Sequence, residues 1–275
     1  MNSGWRLFVA NKGSVGGALV LCAIMLAALV GPFVYDVLPF DMVSAPMTPP
    51  GAELPLGSDY LGRDVLAGIL HGARVTLAIG IAATLCTVFI GLTIGAVAGF
   101  YGKWVDTLLM RVTEFFQVLP PILLAMVLVG VFGPSITTII LVIGAVSWPS
   151  IARLTRAEFL RIKEREYVLA GRAIGAGNLR IMLRIILPNA LPPLIVSAAL
   201  TVGVAILFES GLSFIGLGDP DVISWGYMIG NSRDKMFDSW WAVMFPGLAI
   251  FLTVLSLSLI GDGLNDAFNP KLRAR

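Results

Sequence analysis

The chain reads as an all-α integral membrane protein with six transmembrane helices. Three observations carry that reading. Of its 275 residues, 57% are hydrophobic and only 13% are charged, with a mean hydropathy of +0.89. A soluble domain is ordinarily about 25% charged, so most of this surface faces something other than water. Asp, Glu, Lys and Arg are absent from several long stretches, each at or beyond the ~20 residues that span a bilayer. The remaining basic residues are distributed unequally between the two sets of loops that those stretches define.

The first apolar stretch is Gly13 to Tyr35, the second Val75 to Gly102. Its length exceeds the ~7–15-residue core of a signal peptide, so the first stretch is expected to be a retained helix. Phe115 to Ala152 is uncharged for 38 residues, too long for one crossing at ~1.5 Å per residue. Phe132-Gly133-Pro134-Ser135 interrupts it, and such residues favour a turn. Two helices joined by a tight hairpin are expected, the first beginning before Glu114. Ile185 to Phe208 and Ser239 to Gly261 complete the six. The glycines and prolines inside crossings (Gly91, Gly95, Pro120, Pro121) are read as packing and kink positions. Phe115, Phe116 and Met126 are read as packing residues rather than as the wall of a path.

An even number of crossings places both ends on one side. That side carries 15 Lys/Arg, eight of them between Arg153 and Arg184, and the other side four: Arg63, Arg74, Arg233 and Lys235. The positive-inside rule then predicts cytoplasmic N- and C-termini. Two external loops follow, Asp36 to Arg74 and Phe214 to Trp241, together holding nine carboxylates. The expected organisation is an N-terminal segment 1–72 with the first helix and external loop, a core 73–265 of five helices with a cytoplasmic loop 153–188, and a tail 266–275.

The cytoplasmic segment Arg153 to Pro188 is dense in charge. Arg153 to Glu166 reads as a charged continuation of the fourth crossing, and Tyr167 to Ile174 as a short helix. Gly175-Ala176-Gly177 ends it, because glycine readily takes the left-handed conformation past a helix C-terminus. Asn178 is read as the N-cap of the next helix. There Leu179, Met182, Leu183, Ile186 and Leu187 recur at helical spacing, with Arg180 and Arg184 off the stripe. Pattern alone leaves two readings open: a basic loop that fixes topology or touches anionic lipid, and a docking element for a cytoplasmic partner.

Gly175, nine residues, then Ile185-Ile186-Leu187-Pro188 resembles the E-A-A-x3-G-x9-I-x-L-P signature of the membrane subunits of ABC importers. Leu169-Ala170-Gly171 stands where Glu-Ala-Ala would be. Gly57-Ser58-Asp59-Tyr60-Leu61-Gly62-Arg63-Asp64-Val65-Leu66 is similar to an element of the dipeptide/oligopeptide permease C-type branch. Gly72 to Leu77, Trp240-Trp241 with Phe245-Pro246-Gly247, and Gly261 to Asp266 with Asn269-Pro270 resemble the same branch. The resemblance runs nearly end to end and implies the type I importer permease fold in a bacterial inner membrane. It implies as partners a second homologous permease, two cytoplasmic ATP-binding subunits, an external substrate-binding protein and membrane lipid. It places the ATPase-coupling loop at Tyr167, Ala170, Gly171, Arg172, Ala173, Gly175, Ala176, Ile185, Leu187 and Pro188. Tyr167 and Arg172 would make polar docking contacts, and Gly175 would be the hinge.

No residues for chemistry accompany this. A P-loop needs G-x4-G-K-[ST]; Gly102-Lys103 is followed by Trp104 and has Val97 where the first glycine belongs. One histidine, His71, and two separated cysteines, Cys22 and Cys86, supply neither a zinc site nor a disulfide scaffold. His71 beside Asp59 and Asp64 is read as a solvated loop residue. The net charge of +2 does not suggest nucleic-acid binding. No catalytic residue, metal or cofactor is expected, and no enzyme activity in this chain. The rival reading is a self-sufficient secondary transporter or channel, which would need ionisable groups at the midplane. The only candidates, Glu114, Glu209 and Asp262, stand near helix ends; Glu209 precedes the second external loop and is the one candidate for a pathway residue.

Overall fold

The computed structural model describes residues 3–268. Lys271, Arg273, Arg275 and the Asn269-Pro270 pair lie outside the described residues. Within them the chain is helical, and its extended segments form only two isolated bridges, Met42 with Arg63 and Ser58 with Asp64.

A short helix α1 (Ser3–Ala10) leads into α2 (Lys12–Val34), whose N-terminus is capped by Asn11 accepting from the Gly13 and Ser14 amides. α3 (Val65–Tyr101) follows the first long loop, then α4 (Lys103–Val118), α5 (Pro121–Phe132) and α6 (Ile136–Lys163). α7 (Glu166–Ala173) is the short helix of the basic segment. Next come α8 (Asn178–Ile181), a π turn (Met182–Ile186) and α9 (Leu187–Phe214) as one nearly continuous rod. α10 (Trp225–Ser232) lies in the second long loop, and α11 (Trp241–Phe268) closes the fold. Among the described residues five helices are long and apolar enough to cross a membrane, and the bent pair α4 and α5 is together long and apolar enough to form a sixth as one broken span.

That break is the largest departure from a plain bundle. α4 and α5 meet at 86° across Leu119-Pro120. Pro120 and Pro121 carry no amide proton and their rings crowd the preceding turn, which favours a break here, although Pro192-Pro193 are accommodated within α9. The kink expected at these prolines is therefore an elbow. On the far side, Gly133 at a φ of +84° makes the tight hairpin expected at Phe132 to Ser135, and the Ser135 hydroxyl accepts from the Thr138 amide to start α6.

α3 begins ten residues before the apolar stretch that predicts it. Asp64 caps it, accepting from the Leu66 and Ala67 amides at 2.7 and 3.2 Å. Arg74, which a charge-free count takes as the edge of the helix, lies inside it and donates to the Ala28 and Leu29 carbonyls of α2. His71 is likewise a helical residue. α11 also outruns its expected end, continuing past Gly261 to Phe268, with Asp266 accepting from the Asn11 side chain at 3.1 Å.

α3 and α6 run parallel and in contact, as Gly91, Gly95 and Gly99 require. A Cβ at these positions would lie 2.6 Å from Ile151 Cβ, 2.3 Å from the Ala152 carbonyl and 2.7 Å from Phe159 Cβ. Small residues at every fourth position let two backbones approach as side chains elsewhere would not allow.

One end of the bundle carries both long loops, here called the loop end. The Gly57–Leu66 element knots it together. Ser58 is fully buried, donates to the Ala45 carbonyl and accepts from the Thr48 amide, while its own carbonyl accepts from the Trp241 indole at 2.9 Å. Asp59 accepts from the Leu61 and Arg63 amides. Tyr35, just past α2, donates its hydroxyl to Asp64. Burial, then the hydrogen bond to Asp64 and the charge of that carboxylate, push Tyr35 up to about 12.

Candidate functional site

At the opposite, basic end, α7 stands off the bundle with only Val168 and Gly171 buried. Val168 is fully enclosed, in a cluster with Phe100, Phe159, Ile162, Ile181 and Ile186. Glu166 in the first turn and Arg172 in the last have the signs that the helix dipole favours. The helix closes in a Schellman motif: the Gly175 amide donates to the Arg172 carbonyl at 3.0 Å and the Ala176 amide to the Gly171 carbonyl at 3.1 Å. Gly175 sits at a φ of +82°, with open space where a Cβ would be. Gly171 is buried, and a Cβ there would lie 3.0 Å from Ile185 Cδ1, so the glycine at the third signature position admits the Ile185 side chain.

The segment after Gly177 differs from the expected helix in two respects. Asn178 is its first helical residue, Gly177 takes the cap position, and no side chain caps it. The buried stripe is Ile181, Met182 and Ile186, whereas Leu179 and Leu183 face outward. The π turn accounts for this shift. Leu187 N–H reaches back five residues to the Met182 carbonyl, widening the helix just ahead of Pro188, whose ring would clash with a carbonyl four residues earlier. The Asn189 side chain donates to the Ile185 carbonyl at 2.7 Å.

The structure thus brings the sequence-derived positions into one unit. Gly171 is buried, and Ala176, Ile185 and Leu187 are partly covered against the same cluster. Tyr167, Ala170, Arg172, Ala173, Gly175 and Pro188 are exposed. The Arg172 guanidinium also leans on the Phe100 ring, 5.6 Å from its centroid, connecting α7 to the end of α3. Sequence reasoning missed Ile174, 86% exposed, and the outward-facing Leu179 and Leu183, which give this surface an apolar character among its arginines.

A second feature lies midway along the bundle. A cavity of about 500 Å³ opens between the α4–α5 elbow, α6 and α9, walled by residues including Phe116, Gln117, Ser150, Arg153, Thr201 and Phe208. Phe116, expected to be a packing residue, does both: its ring meets Trp148 edge-on at 5.4 Å and borders the cavity. Proximity of α6 and α9 creates this space, and no local motif announces it; an arginine and a serine following Pro149 were the available signal.

Glu209 does not border that cavity. It is 2% exposed and accepts from the Ser213 and Ser224 hydroxyls at 2.8 and 2.7 Å. Ser224 also accepts from the Tyr227 amide as the cap of α10. The carboxylate therefore fastens α10 to the end of α9.

Broken and unbroken apolar spans around an internal cleft, with an ordered short helix standing proud of the basic end, define a multi-pass membrane permease. The match of residues 91–274 to the family model described as binding-protein-dependent transport system inner membrane component makes the chain a member of that family. Residues 2–50 match the N-terminal transmembrane domain of oligopeptide transport permease C. A di/tripeptide transport system permease protein, DppC, of Pseudomonas aeruginosa is 40% identical over 98% of this chain and 91% of its own length. A dipeptide transport system permease protein, DppC, of Bacillus subtilis is 38% identical over 98% and 85%. A chain of the inward-facing MetNI methionine ABC transporter superposes with a TM-score of 0.59 at 21% identity, over 70% of this chain and 92% of that one. The fold is the type I ABC importer permease fold. Membership of a binding-protein-dependent system sets aside the self-sufficient carrier or channel.

Proposed function

We propose that this chain forms half of the translocation path of an ATP-driven importer for di- or oligopeptides. The observation that carries the proposal is the coupling unit: an exposed helix held by one buried valine, ended by a left-handed glycine, and backed by the π turn at Ile185 to Pro188. Two cytoplasmic ATP-binding subunits would seat α7 and its arginine-flanked apolar rim. A second, homologous permease would complete the path, and an external binding protein would deliver substrate at the loop end. The basic end is cytoplasmic on this reading, with both termini, in a bacterial inner membrane. Peptides as substrate rest on the named activities of the relatives. ATP-driven closure of the ATPase pair displaces α7, and the α4–α5 elbow and α6 beside the cavity alternate its access.

Gly175→Val tests the coupling assignment. A β-branched residue at a φ of +82° is strained by about 1–2 kcal/mol. The space around it is open, so the bundle itself stays intact. Uptake by the reconstituted assembly should be lost while membrane abundance is unchanged. Normal ATPase co-purification together with normal peptide-stimulated hydrolysis and uptake would reject the assignment.

A further inference from the structure

We infer that Arg153 is a carboxylate anchor inside the cavity, so that the path reads the C-terminus of a passing peptide. The inference rests on the peptide-import reading above and adds a recognition contact along the path.

The polar residues around the cavity are Gln117, Ser147, Ser150, Arg153, Ser197 and Thr201. Only Arg153 is charged, and no Asp or Glu stands among the wall residues. Arg156 and Arg161, further along the same helix, engage Asp106 and Glu158. Arg153 is exposed to the cavity, and among the described residues it meets no carboxylate. A guanidinium beside apolar walls and without a carboxylate partner is free to receive an anion. Its planar fork of donors fits a carboxylate bidentately, and apolar residues such as Phe116, Val204 and Phe208 stand on the same wall.

The neutral groups sharpen the choice of ligand. Ser147, Ser150 and Arg153 follow one another at three-residue spacing on α6, and Ser197 and Thr201 face them from one turn of α9. The Thr201 hydroxyl donates to the Ser197 carbonyl at 2.8 Å, leaving its oxygen as an acceptor toward the cavity. An amide N–H can be met there, and among the wall residues this chain supplies none is an anion that would hold an ammonium group. This half of the path therefore offers its charged contact to the carboxyl terminus. At about 500 Å³ it accommodates a short peptide.

The test uses the whole transporter in proteoliposomes, with alanyl-alanine and its C-terminal amide as probes against wild type, Arg153→Gln and Arg153→Lys. The same binding protein serves every arm, so its own preferences cancel when variants are compared. Arg153→Gln should slow alanyl-alanine uptake about tenfold and leave the amide unchanged, with partial recovery in Arg153→Lys. A parallel measurement omits the binding protein. Alkylation of Val204→Cys in the nucleotide-free complex should be slowed by millimolar alanyl-alanine, not by the amide, and protection should vanish with Arg153→Gln. Equal loss for both probes, or no loss for either with protection intact, overturns the anchor while leaving peptide transport standing. A loss that tracks anionic lipid content and ignores the peptide terminus would give Arg153 to a lipid phosphate and also overturn it. Failure of the wild-type assembly to move any peptide with ATP would instead reject the function proposed above.

Discussion

The guanidinium of Arg156 on α6 grips the carboxylate of Asp106 on α4 with two hydrogen bonds, Nε to Oδ1 at 2.5 Å and Nη2 to Oδ2 at 2.6 Å. About two turns further along α6, Lys163 donates to the Gly99 carbonyl at 3.0 Å. Together they tie the first turn of α4 to the α3–α6 pair. Arg156→Ala strands a mostly buried carboxylate and should destabilise the protein by about 1–3 kcal/mol. Arg156→Lys keeps the charge but loses the fork, and should lie between the two. Thermal unfolding in detergent reads both; identical melting of all three proteins would remove the tie from the account.

Gly95→Ala should be destabilising by about 1–3 kcal/mol, since its Cβ would meet backbone at 2.3 Å. Gly130→Ala on α5 is the control, with nothing within 4 Å of the added carbon. There the same change should stabilise by about 0.4–1 kcal/mol through the unfolded chain. Opposite shifts in melting temperature are the expected result.

Glu209→Ala removes the acceptor shared by Ser213 and Ser224. The expected outcome is loosening of α10 with the rest of the bundle intact, at about 1–3 kcal/mol. Limited proteolysis between Gly216 and Trp240 should quicken several-fold while the spans stay protected. Unchanged cleavage would show that Ser224 caps α10 adequately alone.

Tyr35 supplies a pH dependence. Its ionisation is raised in the folded protein to about 12 from the ordinary 10. The folded state therefore holds this proton more tightly, so the stabilisation is complete below pH ~10 and is lost as pH climbs toward 12. Ultraviolet difference titration should find one tyrosine ionising about two units late, and Tyr35→Phe should abolish that component.

The crossings were legible because lipid imposes a simple requirement, long runs without charge. That criterion failed where charge is satisfied internally: Arg74 lies inside α3 because two carbonyls of α2 receive it. Gly175 was legible as a left-handed stop because its neighbours on either side are helical in pattern. The outward turn of Leu179 and Leu183 was not, because a period of 3.6 presumes regular hydrogen bonding and the π turn breaks it. Prolines at 120 and 121 announce an interruption but carry no information on its angle. Arg153 belonged to a run of basic residues in sequence; only the approach of α9 separates it from them.

The glycine seam between α3 and α6 limits where this molecule can bend. With backbones in contact at Gly91, Gly95 and Gly99, neither helix can slide or roll against the other without collision. α3 and α6 are thus joined as a single lever, and α7 rests on its short arm at Phe100 and Phe159. The joint next to that lever is the elbow at Leu119-Pro120, where no helical hydrogen bonds need break. On the coupling proposed above, a nudge of α7 would become a change of angle beside Gln117 and Arg153, and the width of the cavity would depend on how the far end is held.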